Sequence, residues 1–371
     1  MRDKTKVVSI VLFLPVLIML ISCQKQKAEW KGTIEEVNGV MVVKNPKEPI
    51  YRENVFSLEE ELSIGVVDGP ETQMFSGVID IEVDVGGNIY ILDYRESCCR
   101  VFNPDGKFLR TIGSPGQGPG ELERPSSLHL CQDNQLWIED YRNRRIAVFT
   151  TTGKFLRNVS TAKVRITNID IDSKGNILGK RFVISEDKNY LQEVQKFNSD
   201  LEYEFTLESA PFPADPRRKT RNTLSPFLDY QFAHQDRIVY GFPLTYELKI
   251  YDLQGNLLKK IYKPYDPVEV PQKTKEELKK LELLDYKIVV SDNWPAYGQF
   301  RVDDKGWIYV GTYEKVLDNF CWDIFDEDGR YFARIHLNFS PVVIRNNNWY
   351  VLKGDEDGYQ FVKRYKVTWN Y

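Results

Sequence analysis

Residues 87–95 read Gly-Asn-Ile-Tyr-Ile-Leu-Asp-Tyr-Arg, and residues 100–110 read Arg-Val-Phe-Asn-Pro-Asp-Gly-Lys-Phe-Leu-Arg. The pair returns as Asn134-Gln-Leu-Trp-Ile-Glu-Asp-Tyr-Arg142 and Ile146-Ala-Val-Phe-Thr-Thr-Thr-Gly-Lys-Phe-Leu-Arg157, with the turn glycines Gly106 and Gly153 47 residues apart. A repeat at this period is the mark of an array built from one supersecondary unit. Each copy contains short runs of β-branched and aromatic residues separated by turn residues, which is the pattern of strands joined by hairpins. The Gly-Asn and Asp-Gly turns supply the positive φ that tight hairpins need. Four antiparallel strands at this period make a propeller blade.

Weaker copies follow over residues 166–207, 227–262 and 298–337, each with a turn such as Asp172-Ser-Lys-Gly-Asn176, Asp303-Asp-Lys-Gly-Trp307 or Phe325-Asp-Glu-Asp-Gly329. A last partial copy runs from Asn347 to Val367. The fold class is therefore all-β. The architecture predicted is a six-bladed β-propeller of four-stranded antiparallel blades. The sixth blade lacks an outer strand, and residues 54–66 have the pattern to supply it. That closure removes two open sheet edges. Seven blades, with residues 30–48 counted into one, is the alternative. One segment breaks the β pattern. Lys273 to Leu284 has Leu278, Leu281 and Leu284 on one face and a capping-box spacing from Thr274 to Glu277, which predicts a short helical insertion.

The chain has 371 residues, 42% hydrophobic and 28% charged, with a formal net charge of −4. That balance suits a globular protein and speaks against a nucleic-acid partner. Arg2, Lys4 and Lys6 precede an apolar run from Val7 to Ile21, which is short for a membrane span and fits a secretory leader. The run ends in Leu20-Ile21-Ser22-Cys23, which resembles the lipobox of bacterial lipoproteins. That resemblance implies cleavage before Cys23 and lipidation of Cys23, so the lipid membrane is the expected partner. The domain organisation expected is a signal peptide over 1–22, a lipidated tether with a short hairpin near Val37-Asn-Gly-Val40 over 23–53, and the propeller over 54–371. Cys98, Cys99, Cys131 and Cys321 are even in number, which an exported protein can pair as disulfides. They also sit on apolar strand patterns, where cysteine is often a small buried hydrophobe.

The repeats resemble NHL repeats, and the chain resembles the six-bladed β-propeller lipoproteins of Gram-negative bacteria. The residues that carry this are the Asp84…Gly87-Asn-Ile-Tyr-Ile-Leu-Asp93 strand pair, Arg100-Val-Phe-Asn-Pro-Asp-Gly106, Ile112-Gly-Ser-Pro-Gly-Gln-Gly-Pro-Gly-Glu-Leu122 and Gly39-Val-Met-Val-Val-Lys-Asn45. The resemblance implies a cell-envelope location with lipid anchoring, at the outer membrane and facing the periplasm or the surface. The stretch Gly113 to Gly120 is glycine-rich, but Pro115 and Pro119 interrupt it and no Gly-Lys-Ser/Thr follows, so it is read as a connection between blades and not as a phosphate loop.

In a four-stranded meander the a–b and c–d turns share one face. The b–c loops and the connections between blades share the other. Here the first set is tight and the second is long, and long loops on a rigid scaffold are where function collects. The ends of the b strands on that loop face fall at Asp93, Asp140, Arg181, Gly241, Thr312 and Lys353, and Tyr94-Arg95 and Tyr141-Arg142 follow two of them. The candidate ligand-binding rim is therefore Asp93, Tyr94, Arg95, Asp140, Tyr141, Arg142, Arg181 and Lys353. It suits a glycan, a peptide carboxylate or a partner protein, since arginine grips carboxylates through its fork. The same aspartates and arginines could instead pair across adjacent blades and hold the rim together.

Some propellers of the NHL type are lyases or hydrolases with a metal held by histidines at the channel. This chain has three histidines: His129 on an inner strand, His234 at an a–b turn and His336 on an outer strand. No catalytic residue, metal ligand or cofactor is assigned. The reading is a binding or scaffolding propeller, with a metal-assisted lyase or hydrolase at the central channel as the alternative.

Overall fold

A computed structural model describes residues 29–52, 55–212, 214–215, 219–280, 287–317 and 319–370. The expected leader and Cys23 lie outside the described residues. Six blades of four antiparallel strands stand around a central axis; five are four-stranded sheets, and that of blade 4 is widened to six by two N-terminal strands. Blade 1 shows the plan: an innermost strand a at Val78–Val83, then b at Ile89–Asp93, c at Cys98–Phe102 and the outer d at Phe108–Ile112. The a strands of blades 2 to 6 are Pro125–Cys131, Thr167–Ile171, Asp229–Ala233, Gln299–Val302 and Pro341–Arg345.

The hairpins form for a local reason. Asp84 accepts the backbone N–H of Asn88 through Oδ1 and the Asn88 side chain through Oδ2, both at 2.8 Å, while the Gly87 N–H donates to the Asp84 carbonyl. Gly87 holds φ at +81°, where a side chain is disfavoured. Asp172 and Asp252 close the same loop on Asn176 and Asn256. The acidic runs at 326–329 and 355–358 are also turns of this kind, with Asp326 and Asp355 accepting the N–H groups of Arg330 and Tyr359.

Packing falls between blades. Blades 1 and 2, for example, bury Leu92, Val101, Leu128, Ile138 and Phe149 against one another. Each such side chain contributes about 1.5–3 kcal/mol by leaving water. The ring closes as the sequence predicts. Phe56–Ile64 pairs antiparallel with Gln360–Trp369, from Phe56 opposite Trp369 to Ile64 opposite Val362, and completes blade 6.

Residues 30–48 do not build a seventh blade. Thr33–Val37 and Val40–Lys44 form a hairpin over Asn38-Gly39, and the second strand runs parallel to Leu257–Tyr262, the d strand of blade 4. The chain then crosses the outer strand of blade 5, where the Ile50 and Tyr51 N–H groups donate to the Tyr331 and Phe332 carbonyls. The segment before the closing strand is thus a belt over the edges of blades 4 and 5. The helix, α1, spans Gln272–Lys279 and starts two residues before the expected cap. Pro271 occupies the N-cap without a side-chain hydrogen bond, so Thr274 lies inside the helix and caps nothing. Leu281 and Leu284 lie outside the described residues.

Candidate functional site

The rim expected at the b-strand ends is built differently from the sequence reading. Asp93 and Asp140 are both 0% exposed. Asp93 accepts four backbone N–H groups, those of Ser76 and Gly77 before the blade and of Arg95 and Glu96 in the b–c turn, and faces Arg100 at 3.7 Å. Asp140 accepts the Glu123 N–H at 2.7 Å, the Asn143 amide and the Arg145 guanidinium, both at 2.8 Å. They pin the b–c loop to the connection from the preceding blade and offer a ligand nothing. Their arginine partners, Arg100 and Arg145, belong to the same blade, so pairing across blades does not occur either.

The other rim residues reach solvent in varying degree. Arg95 donates to the Tyr94 hydroxyl at 3.0 Å, and Arg142 pairs with Glu123 at 2.9 Å. Tyr141 is 57% exposed. Arg181 is exposed, and the Lys353 ammonium lies 4.9 Å from the Phe339 ring centroid. Gly241 is pressed against the Tyr297 hydroxyl, and Thr312 donates to the Cys321 carbonyl. Trp294 stacks on Tyr313 at 4.6 Å beside a groove of about 400 Å³ between blades 5 and 6.

The larger cavity is the central channel, about 1060 Å³, lined by all six a strands. Its wall follows from strand geometry. The a strand is the last in each blade, so its inner edge has no neighbouring strand, and its N–H groups need other partners. Carboxylates from the preceding blade supply them. Asp80 accepts the Leu128 N–H at 2.9 Å, Asp170 that of Phe232 at 2.6 Å, and Asp229 that of Phe300 at 3.2 Å. Gln231 does the same for Val302, and Arg345 of blade 6 donates to the Val83 carbonyl of blade 1.

These groups sit deep in protein, and burial disfavours their charged forms. It pushes the Asp80 carboxyl up to about 6 and Asp170 up to about 7. Glu82 rises to about 8, first through burial and then through repulsion from Asp80, against the pull of Arg345. His129 is pushed down to about 4 by burial and lies 3.4 Å from Asp170 and 3.2 Å from the Ser127 hydroxyl. Burial thus favours its neutral imidazole. Lys180 is also held below its ordinary value by burial. Tyr141 and Phe182 mark the loop-face end of the cavity, and His234, Asp304 and Arg345 the turn-face end. His234 thus lines the same channel as His129, while His336 stands on the outer strand Tyr331–Leu337.

Among the described residues no group of three or more His, Cys, Asp or Glu side chains could hold a metal ion. Cys98, Cys99, Cys131 and Cys321 are free thiols, and burial pushes Cys98 and Cys321 up to about 11. They behave as apolar filling and not as nucleophiles. The channel residues escaped the sequence reading. Their signal was the period-two alternation in Ile79-Asp80-Ile81-Glu82-Val83, which sends both carboxylates to one face of an otherwise apolar strand.

Residues 71–282 match the family model of DUF5128, a six-bladed β-propeller family. The chain belongs to this family. Among solved structures, the DUF5128 chain is similar to a DUF4221 family member from Bacteroides vulgatus, with a TM-score of 0.52 at 11% identity, covering 85% of this chain and 99% of that one. It is similar as well to a Bacteroides fragilis protein named as exported, with a TM-score of 0.52 at 12% identity, covering 89% and 100%. What the DUF5128 chain shares with both is the fold. No curated protein matches its sequence.

Proposed function

We propose that this DUF5128 propeller is an exported, lipid-anchored binding module that takes a polar ligand, a glycan or a peptide, into the loop-face end of its channel. The channel itself carries the reading. It is the size of a ligand site, lined by residues of all six inner strands, and opens between exposed aromatic rings on the face with the long loops. The rings supply flat apolar surface, and the wall supplies hydrogen-bonding groups. A screen of the domain from residue 24 onward on glycan and peptide arrays tests this. Hits that weaken when Tyr141 or Phe182 becomes alanine support it, and hits indifferent to both changes oppose it.

Export and anchoring rest on the leader and Cys23. Replacing Cys23 with serine should abolish incorporation of labelled palmitate and release the protein from the membrane fraction. A Cys23→Ser protein that still carries label would refute the anchor.

One observation favours a second reading, a lyase or hydrolase. Carboxyls poised near neutrality are suited to general acid–base chemistry. Glu82 is the one to examine, because Asp80 and Asp170 hold backbone N–H groups of the next blade, whereas Glu82 accepts only the adjacent Val83 N–H at 3.3 Å. Elemental analysis of the purified domain with and without chelator, together with its melting temperature, separates the readings. A stoichiometric, stabilising metal would favour the enzyme.

A further inference from the structure

Lys180 differs from every other charged group in the channel wall. It is 7% exposed, lines the cavity, and sits on the b strand of blade 3 where blades 1 and 2 carry Leu92 and Glu139. Its ammonium lies 5.9 Å from the Phe182 ring centroid and 5.3 Å from that of Phe227. Among the described residues it has no hydrogen bond and no ion pair through that ammonium. The carboxylate that acts on it through space is Asp229. Both Asp229 oxygens already accept backbone N–H groups, from Tyr230 and Phe300, and its charge is shared with Arg301. A buried ammonium is costly without a partner. Two aromatic faces offset part of that cost, and the side of the ammonium toward the cavity is left for an anion.

We infer that Lys180 anchors the carboxylate of an acidic sugar, a uronic acid, bound at the loop-face end of the channel. This rests on the channel-binding reading above and names the ligand class. The pyranose ring accounts for the flanking surface. Phe182 and Tyr141, 48% and 57% exposed, line the loop-face end of the cavity near the ammonium and supply aromatic surface there, while Phe227 backs the ammonium from outside the cavity lining. None of the acidic residues of the wall forms an ion pair with Lys180: Asp80, Asp170 and Asp229 accept N–H groups of the neighbouring blades, Glu82, Asp303 and Asp304 accept those of Val83, Trp307 and Asn346, and Glu139 accepts the Ser127 hydroxyl. Arg301 donates to the Phe300 carbonyl and to Gln299, and Arg345 to the Val83 carbonyl, so among the described lysines and arginines of the channel lining Lys180 is the one with no hydrogen bond.

Isothermal titration of the domain from residue 24 onward tests the inference with three probes: trigalacturonate, its fully methyl-esterified form, and acetyl-dialanine with a free carboxylate. Trigalacturonate should bind at least tenfold more tightly than the ester. The difference should vanish in Lys180→Gln and return in part in Lys180→Arg. Wild type alone decides the main point if Lys180→Gln fails to fold. Equal binding of acid and ester would overturn the role of Lys180 and leave the channel-binding reading in place. Binding of the peptide in preference to the sugar acid would overturn the ligand class. Binding of none of the three, with no hit on the arrays, would overturn both inference and reading.

Discussion

Asp170 of blade 3 accepts the backbone N–H of Phe232 of blade 4 at 2.6 Å, across the inner wall of the channel. Asp80 to Leu128 and Asp229 to Phe300 repeat the contact at two other junctions. At these three junctions the propeller is thus held at its centre by side chains that stand in for the strand the inner edge lacks. Losing such an acceptor leaves a backbone N–H short of a partner, at about 1–3 kcal/mol. Asp80→Ala should therefore lose stability in that range in urea unfolding. Asp80→Asn, which keeps an acceptor oxygen, should lose much less. Equal losses would show that the carboxylate acts by charge and not as a staple.

Stability should also depend on pH through Glu82. Its folded value, about 8, lies above the ordinary carboxyl value, so the unfolded chain releases this proton first as pH rises. The stability it contributes is full below about pH 4 and is lost as pH climbs toward 8. Asp80, Arg345 and Asp170 face it, and the first and last of these shift in the same direction. His129 acts oppositely, because its folded value is depressed, but its effect is confined below about pH 6.5. Stability should therefore fall between pH 6.5 and 8.5, by about 2 kcal/mol for Glu82, and the melting temperature with it. Glu82→Gln should flatten that decline. A curve of the same slope in the variant would remove Glu82 as the cause.

Asp323 is buried between blades 4 and 5. It binds the Arg334 guanidinium at 2.7 Å and the Tyr246 hydroxyl at 2.7 Å, with the Lys263 ammonium at 3.3 Å. Arg334 would keep its ion pair with Glu314 at 2.6 Å, but removing the acid would strand the Lys263 ammonium in the interior, and breaking such a buried pair typically costs about 3–5 kcal/mol. Asp323→Ala should be among the most damaging single changes in thermal unfolding. A loss under 1 kcal/mol would mean that water reaches the cluster.

The rim should divide into scaffold and surface. Asp93→Ala breaks four backbone contacts and should lower the melting temperature. Tyr141→Ala should leave the melting temperature within a degree or two and weaken ligand binding. The reverse pattern would restore Asp93 to the ligand face.

The fold was legible because its determinants are local. The Asp-x-x-Gly-Asn loop at 84–88 and 172–176 forms from its own side chains, and each copy announces a hairpin. The closing strand at 56–64 was legible because blade 6 had a vacancy and that segment had the matching pattern. The rim was only half legible. A residue at a strand end can turn outward or fold back under the next loop, and Asp93 took the second course because four N–H groups converge there. The channel was hidden for a different reason. Its residues come from strands far apart in sequence and differ from blade to blade, Asp80 aligning with Ser127 and Asp229, so no repeat flags them. Lys180 stands out only when the b strands are aligned on the structure.

The central claim is that a ligand enters the channel. Hydrogen–deuterium exchange of the domain, with and without the strongest array ligand, tests it most directly. The account predicts added protection in peptides covering 126–129, 167–170 and 180–182, with the outer hairpin at 33–44 unchanged. Protection confined to that hairpin or to the outer d strands, with the channel peptides unmoved, would contradict it.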